Sequence, residues 1–377
     1  MIAFFATMVA RLAISPVVPL IVADFDITNT AIGLALSGMW VAYALTQFPS
    51  GILTDRVGEK PVVLLAVGGT AVGSLLLAVA PVFGVFVACT IVIGLMAGLH
   101  YTPATVLLSR LFDNVGTAIG IHSLGSPLAG LLAPIAAAWI GFRYGWRPAV
   151  AIGAVAAIPV FLLVLWRIRP AEPRNPDGAM RDSLDRTVIV ELLTRRKVAF
   201  TLAIMIAGTF VWQGIASFLP TFVINYHGRT ATLAAAAFSA YFVIQGATLV
   251  VVGAYADRYG RDLAIASCML TGTVGFLVVL LGSGLAWLAV GVVLVAVGMS
   301  SYPAMLARLM DELAEAEAGT GLGLVRTVAG VVGASGSVAV GLLADLFGWG
   351  PSFSFLGALL FVVVCLLAAN RAFALGY

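Results

Sequence analysis

The sequence predicts an all-α membrane protein of twelve transmembrane helices, arranged as two six-helix bundles related by a pseudo-two-fold axis. Three observations predict it. Hydrophobic residues make up 62% of the 377-residue chain and charged residues 10%, too few charges to solvate a water-facing surface of that size, so the solvent is lipid. Apolar runs of about 20 residues, the length that crosses a hydrocarbon core roughly 30 Å thick, occur twelve times. A short charged phrase also occurs twice between such runs, as Gly51-Ile-Leu-Thr-Asp55-Arg56-Val-Gly58 and Gly253-Ala-Tyr-Ala-Asp257-Arg258-Tyr-Gly260.

The two copies lie 202 positions apart (257 minus 55), and other landmarks repeat at nearly the same offset: Pro19 and Pro220, Pro103 and Pro303, Gly116-Thr117 and Gly319-Thr320, Gly145-Trp146 and Gly348-Trp349. The chain is therefore two copies of one membrane unit, with its functional site expected between them. The runs are Met1 to Val22, Thr30 to Leu53, Pro61 to Ala80, Val82 to Leu108, Val115 to Gly141 and Pro148 to Trp166, then Val198 to Val223, Ala231 to Ala254, Asp262 to Gly282, Leu285 to Ala307, Gly319 to Ala344 and Pro351 to Asn370. The first reads as a retained span rather than a cleaved signal. It lacks a basic start, carries Arg11 at its centre and has a counterpart in the second half.

This divides the chain into a bundle at 1–166, a linker at 167–197 and a bundle at 198–377. The linker is rich in Pro, Asp and Arg, and its second part, Ser183 to Lys197, sets Leu184, Val188 and Leu192 at i, i+4, i+8 against Asp185, Arg186, Glu191 and Arg195. That pattern predicts a helix lying on the bilayer surface. The other connections are a few residues long, apart from the acidic turn Asp311 to Glu317.

If the duplicated phrases face the cytoplasm, fifteen of the twenty Lys and Arg residues lie on that side, only Arg143, Arg147 and Arg229 lie outside, and Arg11 and Arg326 fall within spans. The positive-inside rule then predicts a multi-pass protein of the cytoplasmic membrane with both termini cytoplasmic. The net charge of +3 thus reflects topology and gives no reason to invoke nucleic acid. Cys89, Cys268 and Cys365 sit within spans without a neighbouring ligand pattern and read as small buried hydrophobes. No Walker loop, nucleophile arrangement, paired carboxylates or metal cluster is visible, so neither a cofactor nor an enzymatic activity is expected.

Six plus six spans, a long central linker and the Gly-x-x-x-Asp-Arg-x-Gly phrase after the second span of each half together resemble the major facilitator superfamily of secondary transporters, over essentially the whole chain. The resemblance implies alternating access about a midplane site. It also implies a gate in which the loop's Asp, here Asp55, sits against the helix dipole at the start of span eleven near Gly319. Gly51, Arg56, Gly58 and Lys60 match the first loop, and Gly253, Asp257, Arg258 and Gly260 the second. Glu59 and Asp262 stand where the family has basic residues, so the second gate is expected to be weaker or differently paired. The span-four Arg of proton-coupled drug and sugar carriers is replaced by Thr90 before Gly94, and the span-five signature of drug antiporters is only echoed by Ser126-Pro127-Leu-Ala-Gly130-Leu131. The first-span phrase Arg11-Leu-Ala-Ile-Ser15-Pro-Val-Val-Pro19, followed by Tyr43 and Gln47-Phe-Pro-Ser-Gly51, resembles organic-anion and phosphate-ester branches.

Arg11 is the sharpest single residue, because a cation near the middle of a span costs at least about 2.5 kcal/mol unless it meets an anion or water. No acidic residue lies well inside any span, so an anionic substrate could supply the counter-ion. The alternative is that broken-helix carbonyls, or Tyr and Gln side chains of facing spans, hold it. His100 and His122 are the remaining candidates for proton coupling, with hydrogen-bonded packing as the alternative, and as two dispersed residues they make no metal site. Arg326 is expected at the gate or snorkelling to the surface, with contact to substrate as the alternative. In the resembled fold spans one, four, seven and ten line the central cavity, so Tyr43, Tyr101, Trp212, Gln213 and Tyr302 are expected beside Arg11 as its walls. Glycines clustered in spans five and eleven are expected at the moving interface between bundles. The sequence thus points to a monomeric secondary transporter of a small organic anion, with or without a coupling proton or ion. The alternatives are a drug or amphipathic-solute exporter working by proton antiport, and a non-transporting membrane sensor on the same fold.

Overall fold

A computed structural model of the chain describes residues 1–169, 186–313 and 318–374. Twelve helices long and apolar enough to cross a membrane run through them. Spans one to six are Ile2–Phe25, Asn29–Val57, Glu59–Ala78, Phe83–Leu111, Ala118–Tyr144 and Trp146–Arg167. Spans seven to twelve are Arg196–Asn225, Ala231–Tyr259, Arg261–Leu281, Leu285–Glu312, Gly321–Phe347 and Trp349–Ala372. They group as two six-helix bundles, each exposing an apolar belt. Val155 (70%), Val250 (78%) and Leu281 (83%) are among its most exposed members, which in a bilayer face lipid rather than water. A helix also forms over Arg186–Thr194 in the linker. The first residues of the expected surface helix, Ser183 to Asp185, and the end of the acidic turn, 314–317, lie outside the described residues.

Several repeated landmarks have one structural cause. Gly58 (φ 84°) and Gly260 (φ 100°) turn the chain directly from spans two and eight into spans three and nine, with no loop between. A left-handed backbone is strained for any residue with a Cβ, which accounts for glycine at the end of both copies of the phrase. The prolines of spans four and ten mark breaks, whereas Pro220 lies within the unbroken helix Arg196–Asn225. Span one is interrupted after Leu12 by a 3-10 turn over Ser15–Val17, and spans four and ten are interrupted just before Pro103 and Pro303. Proline lacks the N–H that would reach back four residues. Pro303 thereby frees the carbonyl of Met299, and Gln245 of span eight donates to it through Nε2 at 3.0 Å.

The bundles meet most closely on the side opposite the chain ends, here termed the far side, and the contact is made with backbone. Span eleven breaks at Ala334. Ser37 of span two enters the gap there, its hydroxyl donating to the Ala334 carbonyl (2.7 Å) and accepting from the Val338 N–H (3.0 Å). A serine from one bundle thus completes the helical ladder of the other. Ser15 of span one likewise donates to the Ser217 carbonyl of span seven at 2.8 Å. At the outer rim Asp345, closing span eleven, caps the start of span two. Its carboxylate accepts from the backbone N–H and side-chain amide of Asn29 (3.1 and 2.8 Å) and from the N–H and hydroxyl of Thr30 (2.7 and 2.6 Å). An anion at a helix N-terminus is favoured by the exposed N–H groups and the dipole together.

The glycine expectation holds only in part. Gly130 faces Phe242 and Gly330 faces Ala44 across the interface; a Cβ at Gly330 would come within 2.8 Å of the Ala44 Cβ. Gly125, Gly333 and Gly336 instead pack within their own bundles, against the start of span one and against Thr209 and Phe210. Small residues serve static packing as well as the seam, because any close helix crossing needs them.

Opening the far side must break the Asp345 cap, worth about 1 kcal/mol or more for a charge at a helix N-terminus. Asp345→Ala should therefore raise, by about fivefold or more, the rate at which an impermeant thiol reagent on the far side reaches a cysteine placed at Gln213. Unchanged reactivity would show that the cap does not hold that side shut.

Candidate functional site

Between the bundles lies a cavity of about 330 Å³, lined from both halves. Span one contributes Phe4, Met8 and Arg11, and span two contributes Trp40, Tyr43 and Gln47. The second bundle contributes Met205, Thr209, Trp212 and Gln213 from span seven, Phe242, Gln245 and Leu249 from span eight, Ser301, Tyr302 and Met305 from span ten, and Arg326 from span eleven. The far side is sealed by the contacts above. Towards the chain ends the two bundles are held by side chains, with Arg326 donating to Gln47 Oε1 at 3.3 Å and Phe48 lying beside Gly323.

Arg11 is 2% exposed and has no carboxylate partner among the described residues. Its Nε donates to the Thr7 carbonyl one turn back (3.2 Å) and Nη2 to the thioether of Met8 (2.7 Å). The guanidinium carbon lies 4.1 Å from the ring centre of Tyr43 and 4.8 Å from that of Trp40. Aromatic faces attract a desolvated cation, and a thioether is a weak acceptor. The expected alternative partners, a carbonyl and a Tyr, are thus both present, and Arg11 still lines the cavity.

Of the places considered for Arg326, the surface is not where it lies. Span eleven faces span two at this level, so the side chain points across the seam to Gln47 and lies over the ring of Tyr101, 5.7 Å from its centre, while hydrogen-bonding Tyr302. One cation from each bundle therefore lines one cavity, and no Asp or Glu does among the described residues.

Of the other wall residues expected from sequence, Tyr43, Trp212, Gln213 and Tyr302 line the cavity and Tyr101 does not. Tyr101 stands behind it, edge-on to Phe4 (5.7 Å) and His122 (5.9 Å). The two histidines are not dispersed. Their rings stack 5.4 Å apart and both stack on Phe4, which separates them from the cavity. Both ring nitrogens of His100 are buried without a hydrogen-bond partner, and Nδ1 of His122 lies 3.2 Å from the Met1 nitrogen. No group of three or more His, Cys, Asp or Glu residues that could hold a metal ion occurs among the described residues.

The duplicated loops are built alike. Gly51 lies against Thr102 and Gly253 against Pro303, the same approach of span two to four and of span eight to ten. Glu59 pairs with Arg110 at 3.4 Å, and Asp262 pairs with Arg308 at 2.7 Å. The two acids that depart from the family's basic pattern are not repeat equivalents, since Glu59 matches Arg261 and Asp262 matches Lys60 at the 202 offset, yet each is held by an arginine near the end of the fourth span of its own bundle. Lys60 donates to the Leu165 carbonyl (2.8 Å), Asp257 pairs with Arg261, which also meets Asp311 (3.3 Å), and Arg258 lies over Tyr259. Among the described residues Asp55 has no hydrogen-bond or ion-pair partner. Its expected neighbours at 318–320 have side chains outside the described ones.

Two related bundles around a midplane cavity closed on one side are the architecture of a carrier. The chain belongs to the Major Facilitator Superfamily, whose model matches residues 1–237 and again 225–373. It is 24% identical over 232 residues to the hexuronate transporter of Bacillus subtilis (strain 168), covering 58% of this chain and 53% of that one. It is 26% identical over 198 residues to the multidrug resistance protein MdtL of Escherichia coli O17:K52:H18 (strain UMN026 / ExPEC), covering 51% and 50%. These alignments thus span about half the length of the relatives they match. In three dimensions a point mutant of the nucleoside transporter NupG superposes with a TM-score of 0.82 at 14% identity, covering 98% of each chain. A bacterial homologue of the human lysosomal transporter Spinster, in an inward-facing and unoccupied conformation, gives 0.79 at 16% identity, covering 98% of this chain and 94% of that one. These likenesses establish the fold.

Two uncompensated cations should give the cavity a positive potential that steers small charged reagents. In a protein lacking its native cysteines, replacement of the cavity-lining Ser126 by cysteine, Ser126→Cys, should give a thiol that reacts about tenfold faster with an anionic methanethiosulfonate than with a cationic one. Arg326→Gln should narrow the ratio. Equal rates for both reagents would contradict the charge assignment.

Proposed function

We propose that the protein is a secondary active transporter that moves a small organic anion across the cytoplasmic membrane by alternating access. The observation that carries this reading is the pair Arg11 and Arg326, one from each bundle, lining a cavity that contains no carboxylate among the described residues. An anion entering between them would supply the missing counter-charge and link the two bundles, so its binding energy would act on their relative position. A planar guanidinium suits a carboxylate or phosphate better than a point charge does. The hexuronate transporter among the relatives is consistent with an anionic solute.

In this reading both termini and the linker are cytoplasmic, the protein works as a monomer that carries its solute unchanged, and the cavity faces the cytoplasm. Asp55 and its loop, with Arg56 and Lys60, would close that side against span eleven when the far side opens. Protons, if coupled, would be carried by the stacked His100 and His122 pair, since no carboxylate lies deep in a described span. A second reading, export of amphipathic solutes, draws on the aromatic and methionine lining of the cavity and on the resemblance to MdtL.

Counterflow in proteoliposomes tests the proposal. Labelled benzoate or D-glucuronate should exchange, and tetraphenylphosphonium should not. Arg11→Gln should abolish the exchange, and Arg11→Lys should retain a tenth or less, since hydrogen bonds to charged groups contribute about 1.5 to 3 kcal/mol. Replacing His100 and His122 together by glutamine should remove proton-driven accumulation and leave counterflow. Exchange of the cation alone, unaffected by Arg11→Gln, would favour the exporter.

A further inference from the structure

The geometry points to an amphipathic organic anion as the solute: one compact anionic group on a flat, apolar, ring-bearing body, rather than a polyhydroxylated acid. This rests on the anion reading above and narrows it.

The cavity has a charged end and an apolar remainder. At the charged end Arg11 lies over Tyr43, and Arg326 reaches Gln47 one turn further along span two. The Arg11 Nη2 is held at 2.7 Å by the Met8 thioether, an acceptor that a carboxylate oxygen would displace with gain. From there an aromatic strip crosses the seam. The Trp40 and Trp212 rings meet edge to face at 5.3 Å, and Trp212 meets Phe242 at 6.2 Å. Met205, Met299 and Met305 add to the apolar lining, and their flexible thioethers adapt to rings of different outline.

Two of the polar side chains along this strip are already engaged, while Gln213 keeps one free acceptor, its buried Oε1. Gln245 accepts from Trp212 Nε1 (3.4 Å) and donates to the Tyr241 hydroxyl (3.3 Å) and the Met299 carbonyl (3.0 Å), and the Gln47 oxygen accepts from Arg326. A sugar acid with its carboxylate at the arginines would lay most of its hydroxyls against tryptophan, phenylalanine and methionine, losing more hydration than Gln213 and Thr209 could replace. A flat ring would lose no such bonds and would stack on the strip. A volume of about 330 Å³ lies at the small end of ligand pockets and suits an acid of one or two rings.

Equilibrium binding to the purified protein in nanodiscs, with a thermal melt of each variant, tests the inference. The probes are 2-naphthoate, D-glucuronate, 2-naphthylmethanol and tetraphenylphosphonium. The expected result is that 2-naphthoate binds at least tenfold more tightly than each of the others. Arg11→Gln should weaken it tenfold or more, and Trp212→Leu or Phe242→Leu should weaken it severalfold while leaving D-glucuronate unaffected. D-Glucuronate binding as tightly as 2-naphthoate, and depending on Arg11, would overturn this inference and leave the organic-anion reading standing. Tighter binding of the alcohol or the cation, indifferent to Arg11→Gln, would overturn both. Absence of 2-naphthoate binding to a wild type that melts cooperatively would also overturn the inference.

Discussion

Two arginines held in a mostly apolar surround, without a carboxylate among the described residues, are the constraint on which the rest of the site depends. A cation in the middle of a membrane persists only where water, an anion or oriented dipoles reach it. Arg11 meets this condition with a backbone carbonyl, a thioether and two aromatic faces, and Arg326 with a glutamine and phenols. These partners are weaker than an ion pair, so each guanidinium keeps capacity for an anion. Because the two residues come from different bundles, the electrostatic deficit is shared across the seam. Filling it pulls on both halves at once.

The seam itself is asymmetric. On the far side it is made of hydrogen bonds that substitute for helical ones: Ser37 replaces an internal bond of span eleven, and Asp345 satisfies the orphan N–H groups of span two. Breaking them exposes backbone groups that need new partners, which favours two discrete positions over a continuum. Towards the chain ends the described contacts are those of long side chains, which give way at lower cost. The charged residues of the duplicated loops are paired within their own bundles through Glu59–Arg110 and Asp262–Arg308, so each loop is anchored before it engages the opposite half.

Much of this is legible in the sequence, because period and length are properties of the chain alone. Twelve apolar runs mark the twelve spans to within a few residues. The offset near 202 also encodes more of the cavity than Arg11 and its expected walls. Phe4 and Met205, Met8 and Thr209, Arg11 and Trp212, Trp40 and Phe242, Tyr43 and Gln245, and Gln47 and Leu249 are all separated by 201 or 202 positions, and all line the cavity. Applying the repeat to Tyr43 finds Gln245, and applying it to Trp40 finds Phe242. What escapes depends on helix rotation and on contacts across the seam, for which no pattern within one span carries a signal. Depth alone leaves Arg326 between gate, surface and substrate, and its direction is set by span two. The histidines, 22 positions apart (122 minus 100), read as dispersed in the sequence and are stacked in the fold, because spans four and five both break near Phe4.

The central claim is that the two bundles move as units about a cavity filled by an anion. Distances measured by double electron–electron resonance test it most directly, with one spin-label pair at Leu111 and Met310 on the side of the chain ends and another at Val82 and Leu285 on the far side, all exposed positions. Addition of a transported anion should shift the two distributions in opposite directions, shortening the first and lengthening the second, and the shifts should vanish in Arg11→Gln. Distributions that do not change with any anion, or that shift in the same direction, would contradict the account.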